Sequence, residues 1–255
     1  MVLRYTPDEL ARRHSVRKYA PAPVAPEVAA LLDSEVEEIN ASYPGIRFVV
    51  CYDSPAAFSS LRKTYGLFSG VSNYLVALVD SSVGHAAEIA GFAAEQFVMR
   101  ATRCGLGTCF VGATFDGSKL AVGLNEGEKV LFVVSFGYEA KGGEGLWRSM
   151  MRRIVRSKML PPADFYTPGD GDLSFAEAAE RMPVLEKGLE AVAVAPSAGN
   201  RQPVRFRTGA DGVLRAATIV ENAFSDVDFG IAKFNFQAVA GGRWDWGRDG
   251  GFQMD

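Results

Sequence analysis

The chain has 255 residues, 48% of them hydrophobic and 22% charged, with a formal net charge of −3. This is enough chain to bury a sizeable core in one large or two small domains, and the mildly acidic balance excludes a global attraction to nucleic acid or anionic membrane. Three cysteines, Cys51, Cys104 and Cys109, lie in or beside apolar runs with only His14 and His85 to accompany them, so buried thiols in a reducing compartment are expected and a transition-metal site is not.

The opening stretch, MVLRYTPDELARRHS, holds no apolar run of signal-peptide type, and no uncharged apolar run reaches membrane-spanning length, so a cytoplasmic protein is expected. Thr6, Pro7 and Glu9 make a capping-box pattern for a helix ending near Arg13. The basic segment Arg13-His14-Ser15-Val16-Arg17-Lys18 follows, and Pro21, Pro23 and Pro26 keep the next stretch extended. Pro26 opens a second helix to about Asn40, with Val28, Leu31, Leu32, Val36 and Ile39 on one face. The run from Ile46 to Tyr52 predicts a buried strand, Pro55 to Lys63 a short helix, and Tyr74 to Val79 another strand.

The central stretch runs from His85 to Gly112. Glu88, Glu95, Gln96, Arg100 and Arg103 fall on one narrow stripe, and the rest of 86–101 is apolar or small, which predicts a helix set inside the protein. Gly105 ends it, Thr108–Val111 reads as a short buried strand, and Gly112 breaks that strand. Ser118–Val122 predicts a helical turn and Lys129–Phe136 a strong strand ending at Gly137-Tyr138. Gly142, Gly143 and Gly145 mark a mobile loop. Trp147–Lys158, with Arg148, Arg152, Arg153, Arg156 and Lys158, reads either as a solvated helix face or as an anion site.

Pro161–Asp172 reads as a linker, after which the pattern restarts. Ser174 and Glu177 cap a helix that Pro183 interrupts and that resumes to about Val194. Val204–Thr208 and Leu214–Val220 predict strands. Asp228 caps a last helix ended by glycines, and the polar tail carries Trp244 and Trp246 as exposed residues. The chain has no Walker loop, dinucleotide glycine fingerprint or nucleophile elbow, and no paired carboxylates stand out.

Arg13-His14-Ser15-Val16-Arg17 resembles the R-x-S-x-R/K signature of nitroreductase-family flavoproteins, and Ala195-Pro196-Ser197-Ala198-Gly199-Asn200-Arg201-Gln202-Pro203 resembles that family's P-S-x-x-N-x-Q-P-W loop. Gly105-Leu106-Gly107 after the apolar helix, Leu131–Tyr138 with its closing Gly-Tyr pair, and Arg156-Ser157-Lys158 are similar to further family features. The resemblance covers most of the chain and implies an α+β nitroreductase fold. In ordinary members the P-S-x-x-N loop follows the first motif after one helix. Here Asn40-Ala41-Ser42-Tyr43-Pro44 stands in that place, and the loop comes in the second segment. This order resembles the TM nitroreductase type. It implies an internally duplicated fold in which one chain imitates the usual homodimer, and so a monomer. Residues 1–160 would form the first half with the phosphate-binding residues, 161–172 the linker, and 173–255 a shorter half supplying the Pro-Ser-x-x-Asn loop.

The resemblance further implies FMN as cofactor, NAD(P)H as electron donor, and a small flat acceptor such as a nitroaromatic or quinone. Arg13, Arg17, Arg156 and Lys158 are the implied phosphate cations, with His14 in the same signature and Ser15 and Ser157 as hydroxyl donors. Pro196, Ser197 and Asn200 would meet the ribityl chain or ring edge, although Asn200 also reads as a turn residue. Val111 and Gly112 match the position where backbone amides approach the flavin N5. Because the flavin carries the electron chemistry, no catalytic side chain is expected. Val204 stands where the family has tryptophan. Two other readings compete. One is a degenerate member that binds flavin or another small ligand without turnover. The other is an anion- or nucleic-acid-binding module on Arg148–Lys158, which the acidic net charge opposes.

Overall fold

A computed structural model of the protein describes residues 4–140 and 159–255, without the side chains of 61 and 62. The readings on Gly142, Gly143, Gly145 and the basic stretch Trp147–Lys158 lie outside the described residues. The chain forms two compact units, Arg12–Gly142 and Met1–Ala11 with Gly143–Asp255. The opening residues thus belong with the last part of the chain, a placement that sequence order hides.

The first unit is built on four antiparallel strands, β1 (Ile46–Cys51), β2 (Asn73–Asp80), β3 (Gly107–Val111) and β4 (Glu128–Gly137), in the order β1-β2-β4-β3. Helix α2 (Pro26–Ser42) and helix α4 (Ala86–Arg103) pack against this sheet and against each other. Alternation along β2 sends Tyr74, Val76 and Leu78 into a core shared with Phe58, Phe68 and Val71 from the loops. On the other face, Phe136 of β4 meets Phe97 of α4 at 5.5 Å, near edge-to-face. The segment expected as one helix over Pro55–Lys63 is two short turns, a 3₁₀ turn Pro55–Phe58 and α3 (Leu61–Thr64), because Ser60 starts a new cap by accepting from the Lys63 N–H.

The polar stripe of α4 turns to solvent only at its end, where Arg103 is exposed. Glu88, Glu95 and Gln96 are all buried. Glu35 of α2 accepts from Gln96 Nε2 at 2.6 Å and from Arg100 Nε at 2.7 Å, which satisfies the lower part of the stripe in the α2–α4 interface. Of the three cysteines, Cys51 and Cys109 are buried, whereas Cys104 just past the helix is half-buried.

The second unit holds α1 (Pro7–Arg12), α5 (Phe175–Arg181), α6 (Leu185–Ala193), α7 (Ser225–Ala240), the hairpin β5 (Val204–Thr208) with β6 (Leu214–Thr218), and the short pair β7 (Arg243–Trp244) with β8 (Phe252–Gln253). Both capping boxes form. Glu9 N–H donates to Thr6 Oγ1 and Thr6 N–H to Glu9 Oε2, and Ser174 and Glu177 do the same for α5. Tyr5 N–H donates to the Ala238 carbonyl at 2.9 Å, and its ring leans on Phe234, which ties the opening segment to α7.

The core of this unit is aromatic. Phe206 stacks on Phe236 at 5.4 Å, and Trp244 and Phe252 close around it at 5.6 and 5.1 Å. Trp244, read as exposed, is 6% exposed, and Trp246 is half-buried. The polar tail composition concealed that β7–β8 folds back over α7. Gly188 of α6 gives Phe236 its room, because a Cβ there would strike the Phe236 ring directly. Gly188→Ala is therefore expected to cost about 1–3 kcal/mol through overpacking, more than alanine's gain in helix propensity of roughly 1 kcal/mol. A fall in thermal midpoint would show it, and a rise would mean that the α6–α7 contact yields freely.

Helix α7 also corrects the reading of Asp228 as its cap. The helix begins three residues earlier, at Ser225. Ser225 Oγ accepts from Asn222 N–H, and Asn222 Oδ1 accepts from Phe224 N–H, so Asn222 organises the start. Asp228 lies inside the first turns, with another task.

Candidate functional site

In the first unit the segment Arg13–Arg17 runs beside β3. Val16 N–H donates to the Thr108 carbonyl at 2.8 Å, and Ser15 forms a parallel bridge with Thr108. This approach requires Gly107, where a Cβ would sit 2.5 Å from Val16 Cγ2. Gly105, at φ 77°, turns the chain out of α4 just before it. The Gly-Leu-Gly element therefore has a physical task, which is to stop the helix and admit the basic segment. Tyr19 completes the anchor, donating to the Val16 carbonyl at 2.7 Å and sharing a hydrogen bond with Ser135 Oγ on β4, and burial pushes its phenol well above the ordinary range.

Three motif side chains act on the Cys109 thiol. Burial raises its thiol pKa, while Arg17, a hydrogen bond from Ser15, and Arg13 pull it back. Arg17 and Ser15 are exposed, and Arg13 is half-buried, with its Nε 3.9 Å from Glu95 Oε1. His14 contacts Glu139 Oε2 through Nε2 at 3.0 Å and the Arg12 carbonyl through Nδ1. Val111 ends β3 in a buried position, and Gly112 beyond it is exposed. From Thr108 to Val111 the strand advances about 10 Å.

In the second unit Pro196–Pro203 forms a tight loop. Gly199, Asn200 and Gln202 all have left-handed backbones, at φ 61°, 54° and 48°. Asparagine tolerates this conformation, but glutamine does so at a cost of about 1 kcal/mol. Ser197 Oγ accepts from Gln202 N–H at 3.0 Å, and Gln202 Oε1 accepts from Leu160 N–H at 3.0 Å. Asp228 holds the loop from α7, accepting the Ala198 N–H on both oxygens at 3.0 and 3.1 Å. Burial pushes its carboxyl up to about 7, against the pull of the Ala198 N–H and Arg201. Pro196, Ser197 and Asn200 are each half-buried.

The sequence reading missed Asp228 as the loop anchor and Glu95 as the inner neighbour of Arg13. Thirty positions separate Asp228 from Ala198, and Glu95 looks like any other member of the polar stripe. Arg156, Ser157 and Lys158 lie outside the described residues. Among the described residues no group of His, Cys, Asp and Glu could hold a metal ion, and no helix is long and apolar enough to cross a membrane.

Among solved structures, a putative nitroreductase from Thermotoga maritima superposes with a TM-score of 0.56 at 20% identity, over 92% of this chain and 82% of that one. This likeness establishes the α+β nitroreductase fold. A putative NADH dehydrogenase/NAD(P)H nitroreductase from Bacteroides thetaiotaomicron matches 53% of this chain and 87% of its own at 22% identity, with a TM-score of 0.43. An FMN-dependent nitroreductase from Clostridium difficile matches 54% of this chain and 89% of its own at 18% identity, with a TM-score of 0.42. No curated protein matches the chain. The family described as Putative TM nitroreductase matches residues 7–240. The chain belongs to that family, and so to a group of nitroreductase-like oxidoreductases.

Proposed function

We propose that the protein is an FMN-dependent NAD(P)H oxidoreductase that reduces a small flat acceptor such as a nitroaromatic or quinone. The observation that carries this reading is the placement of the Arg13–Arg17 segment beside the start of β3, with Ser15 bridged to Thr108 and Val16 bonded to its carbonyl. Two guanidinium groups and a hydroxyl on an immobilised backbone suit a dianionic phosphate, because planar multi-donor cations grip phosphate oxygens in pairs. The exposed backbone at Gly112 lies further along the same strand, open to close approach. Bound FMN would supply the two-electron chemistry that links nicotinamide oxidation to acceptor reduction. The chain's own task is to bind and orient, with Arg13 and Arg17 on the phosphate and Pro196, Ser197 and Asn200 offering polar and apolar edges from a loop that Asp228 holds in shape. Arg156, Ser157 and Lys158 are proposed to complete the phosphate grip.

The proposal includes the duplicated architecture, with halves 1–160 and 173–255 carrying complementary motifs, one FMN per chain, and a monomer in the cytoplasm. The visible spectrum of freshly purified protein, with flavin counted after denaturation, tests this. A yellow protein with one FMN per chain, bleached by NAD(P)H without oxygen, is the expected result. Two FMN per chain would keep the cofactor and remove the complementary-motif arrangement. A protein that stays colourless after incubation with FMN, or yellow but not reducible, would favour the degenerate reading. Arg13→Ala with Arg17→Ala is expected to weaken FMN binding at least a hundredfold, since two charge-assisted contacts contribute about 3–6 kcal/mol together. Unchanged affinity would move the site elsewhere.

A further inference from the structure

Glu95 lies at the middle of α4, fully buried, and neither carboxylate oxygen has a hydrogen-bond partner among the described residues. Its neighbours on the stripe are differently engaged, Glu88 beside His85, and Gln96 and Arg100 on Glu35. A carboxylate without hydrogen bonds in a helix core is costly and needs a reason. Its nearest cation among the described residues is Arg13, whose Nε approaches Oε1 at 3.9 Å, and the Arg13 side chain is itself only 10% exposed. Nε is the guanidinium nitrogen closest to the carboxylate, so the terminal nitrogens lie farther from it.

We infer that Glu95 is the internal positioning residue of Arg13, and that, wherever Glu95 is ionised, docking of a dianionic phosphate on Arg13 drives a proton from solvent onto it. The inference rests on the FMN reading above and deepens it. Arg17 answers phosphate charge from the exposed side, but at the inner end of the site Arg13 alone would stand between the Glu95 carboxylate and the phosphate dianion, in a medium that screens poorly. Protonating Glu95 relieves this at the lowest cost, because burial already pushes its carboxyl up to about 8, opposed among the described residues by Arg13. Other titratable groups around α4 do not compete for this role. Glu35 from α2 is bonded to Gln96 and Arg100. Cys109 feels the charge of Arg13, but like Tyr74 it faces the core on the opposite side of the sheet, where burial holds its thiol above the ordinary range. Arg47, Asp80 and Glu128 gather where β2 ends and β4 begins, away from Thr108.

The test is FMN binding as a function of pH. Between about pH 7 and 8 Glu95 largely holds its proton and the phosphate, with a second pKa of about 6, stays dianionic, so binding should change little with pH. Above pH 8, each molecule of FMN bound takes up as much as one proton, and Kd should rise by up to about tenfold per unit. Titration calorimetry of the wild-type protein at pH 8.5, in buffers of differing ionisation enthalpy, reads that uptake directly. Glu95→Gln keeps the shape and removes the titration, so its Kd should stay flat where that of the wild type rises. Zero uptake by the wild type, or the same pH dependence in wild type and Glu95→Gln, overturns the inference and leaves the FMN reading intact. A wild-type protein that binds no FMN at any pH overturns both.

Discussion

Lys233→Met should destabilise the protein by about 3 kcal/mol and loosen the segment 243–253 before anything else. Lys233 on α7 is fully buried. Its Nζ donates to the carbonyls of Asp245 at 2.9 Å and Gly247 at 3.1 Å, and sits 4.2 Å over the Phe229 ring and 5.4 Å from Trp244. Trp244 Nε1 donates back to the Lys233 carbonyl at 3.0 Å. Methionine fills the volume of the stem and removes the cost of burying a charge. It also leaves the Asp245 carbonyl without its donor, the Gly247 carbonyl with only the Gly250 N–H, and the aromatic rings without their cation. Each unpaired buried acceptor costs about 1–3 kcal/mol and a desolvated cation–π contact contributes about 2 kcal/mol, so the losses outweigh the gain. Urea unfolding and limited proteolysis check this together. Cleavage near Asp245–Gly247 should appear in the variant under native conditions, and an unchanged urea midpoint would mean that water replaces the ammonium without loss.

The second large effect concerns pH. Burial disfavours the charge on Asp228 and pushes its carboxyl up to about 7 in the folded protein, above the ordinary aspartate value of about 4. Between those values the folded chain keeps a proton that the unfolded chain has released. Stability attributable to this group is therefore greatest below pH 4, falls as pH rises toward 7, and is flat beyond. Three units correspond to an upper bound of about 4 kcal/mol. Asp228→Asn retains an oxygen for the Ala198 N–H and does not titrate. Urea midpoints at pH 8 should place the variant about 2–3 kcal/mol above the wild type, with the two converging toward pH 4. A constant difference across pH would show that the carboxyl is not held neutral by the fold. The arrangement places stability in tension with a charged anchor under a strained loop, a pattern found at sites shaped for binding.

Local signals were legible in the sequence where their partners are near in the chain. Thr6 with Glu9, Ser174 with Glu177, the apolar run of β2 and the alternation behind β5 each carry their own physics within a few residues. Both candidate segments, Arg13–Arg17 and Pro196–Pro203, were legible as motifs of spacing. What failed depended on distant partners. Asp228 looks like a helix cap until Asn222 is seen to start the helix and Ala198 to claim the carboxylate. Trp244 reads as solvated because its neighbours are polar, and only the fold of β7–β8 covers it. The depth of Glu95 was invisible because a polar stripe on a helix looks the same whether water or another helix receives it.

The tie between Tyr5 and Ala238 bears on how the chain acquires its structure during synthesis. Residues 4–12 leave the ribosome well ahead of the surface that orders them, on α7, which is translated more than two hundred residues later. A contact of such sequence separation closes late, after a large loop has lost its freedom. The unit spanning Arg12–Gly142 holds its own sheet and can form while the rest is still being made. The other unit can form only after α7 has been translated, and until then Leu10 and the ring of Tyr5, both buried in the finished protein, remain open to chaperones and proteases.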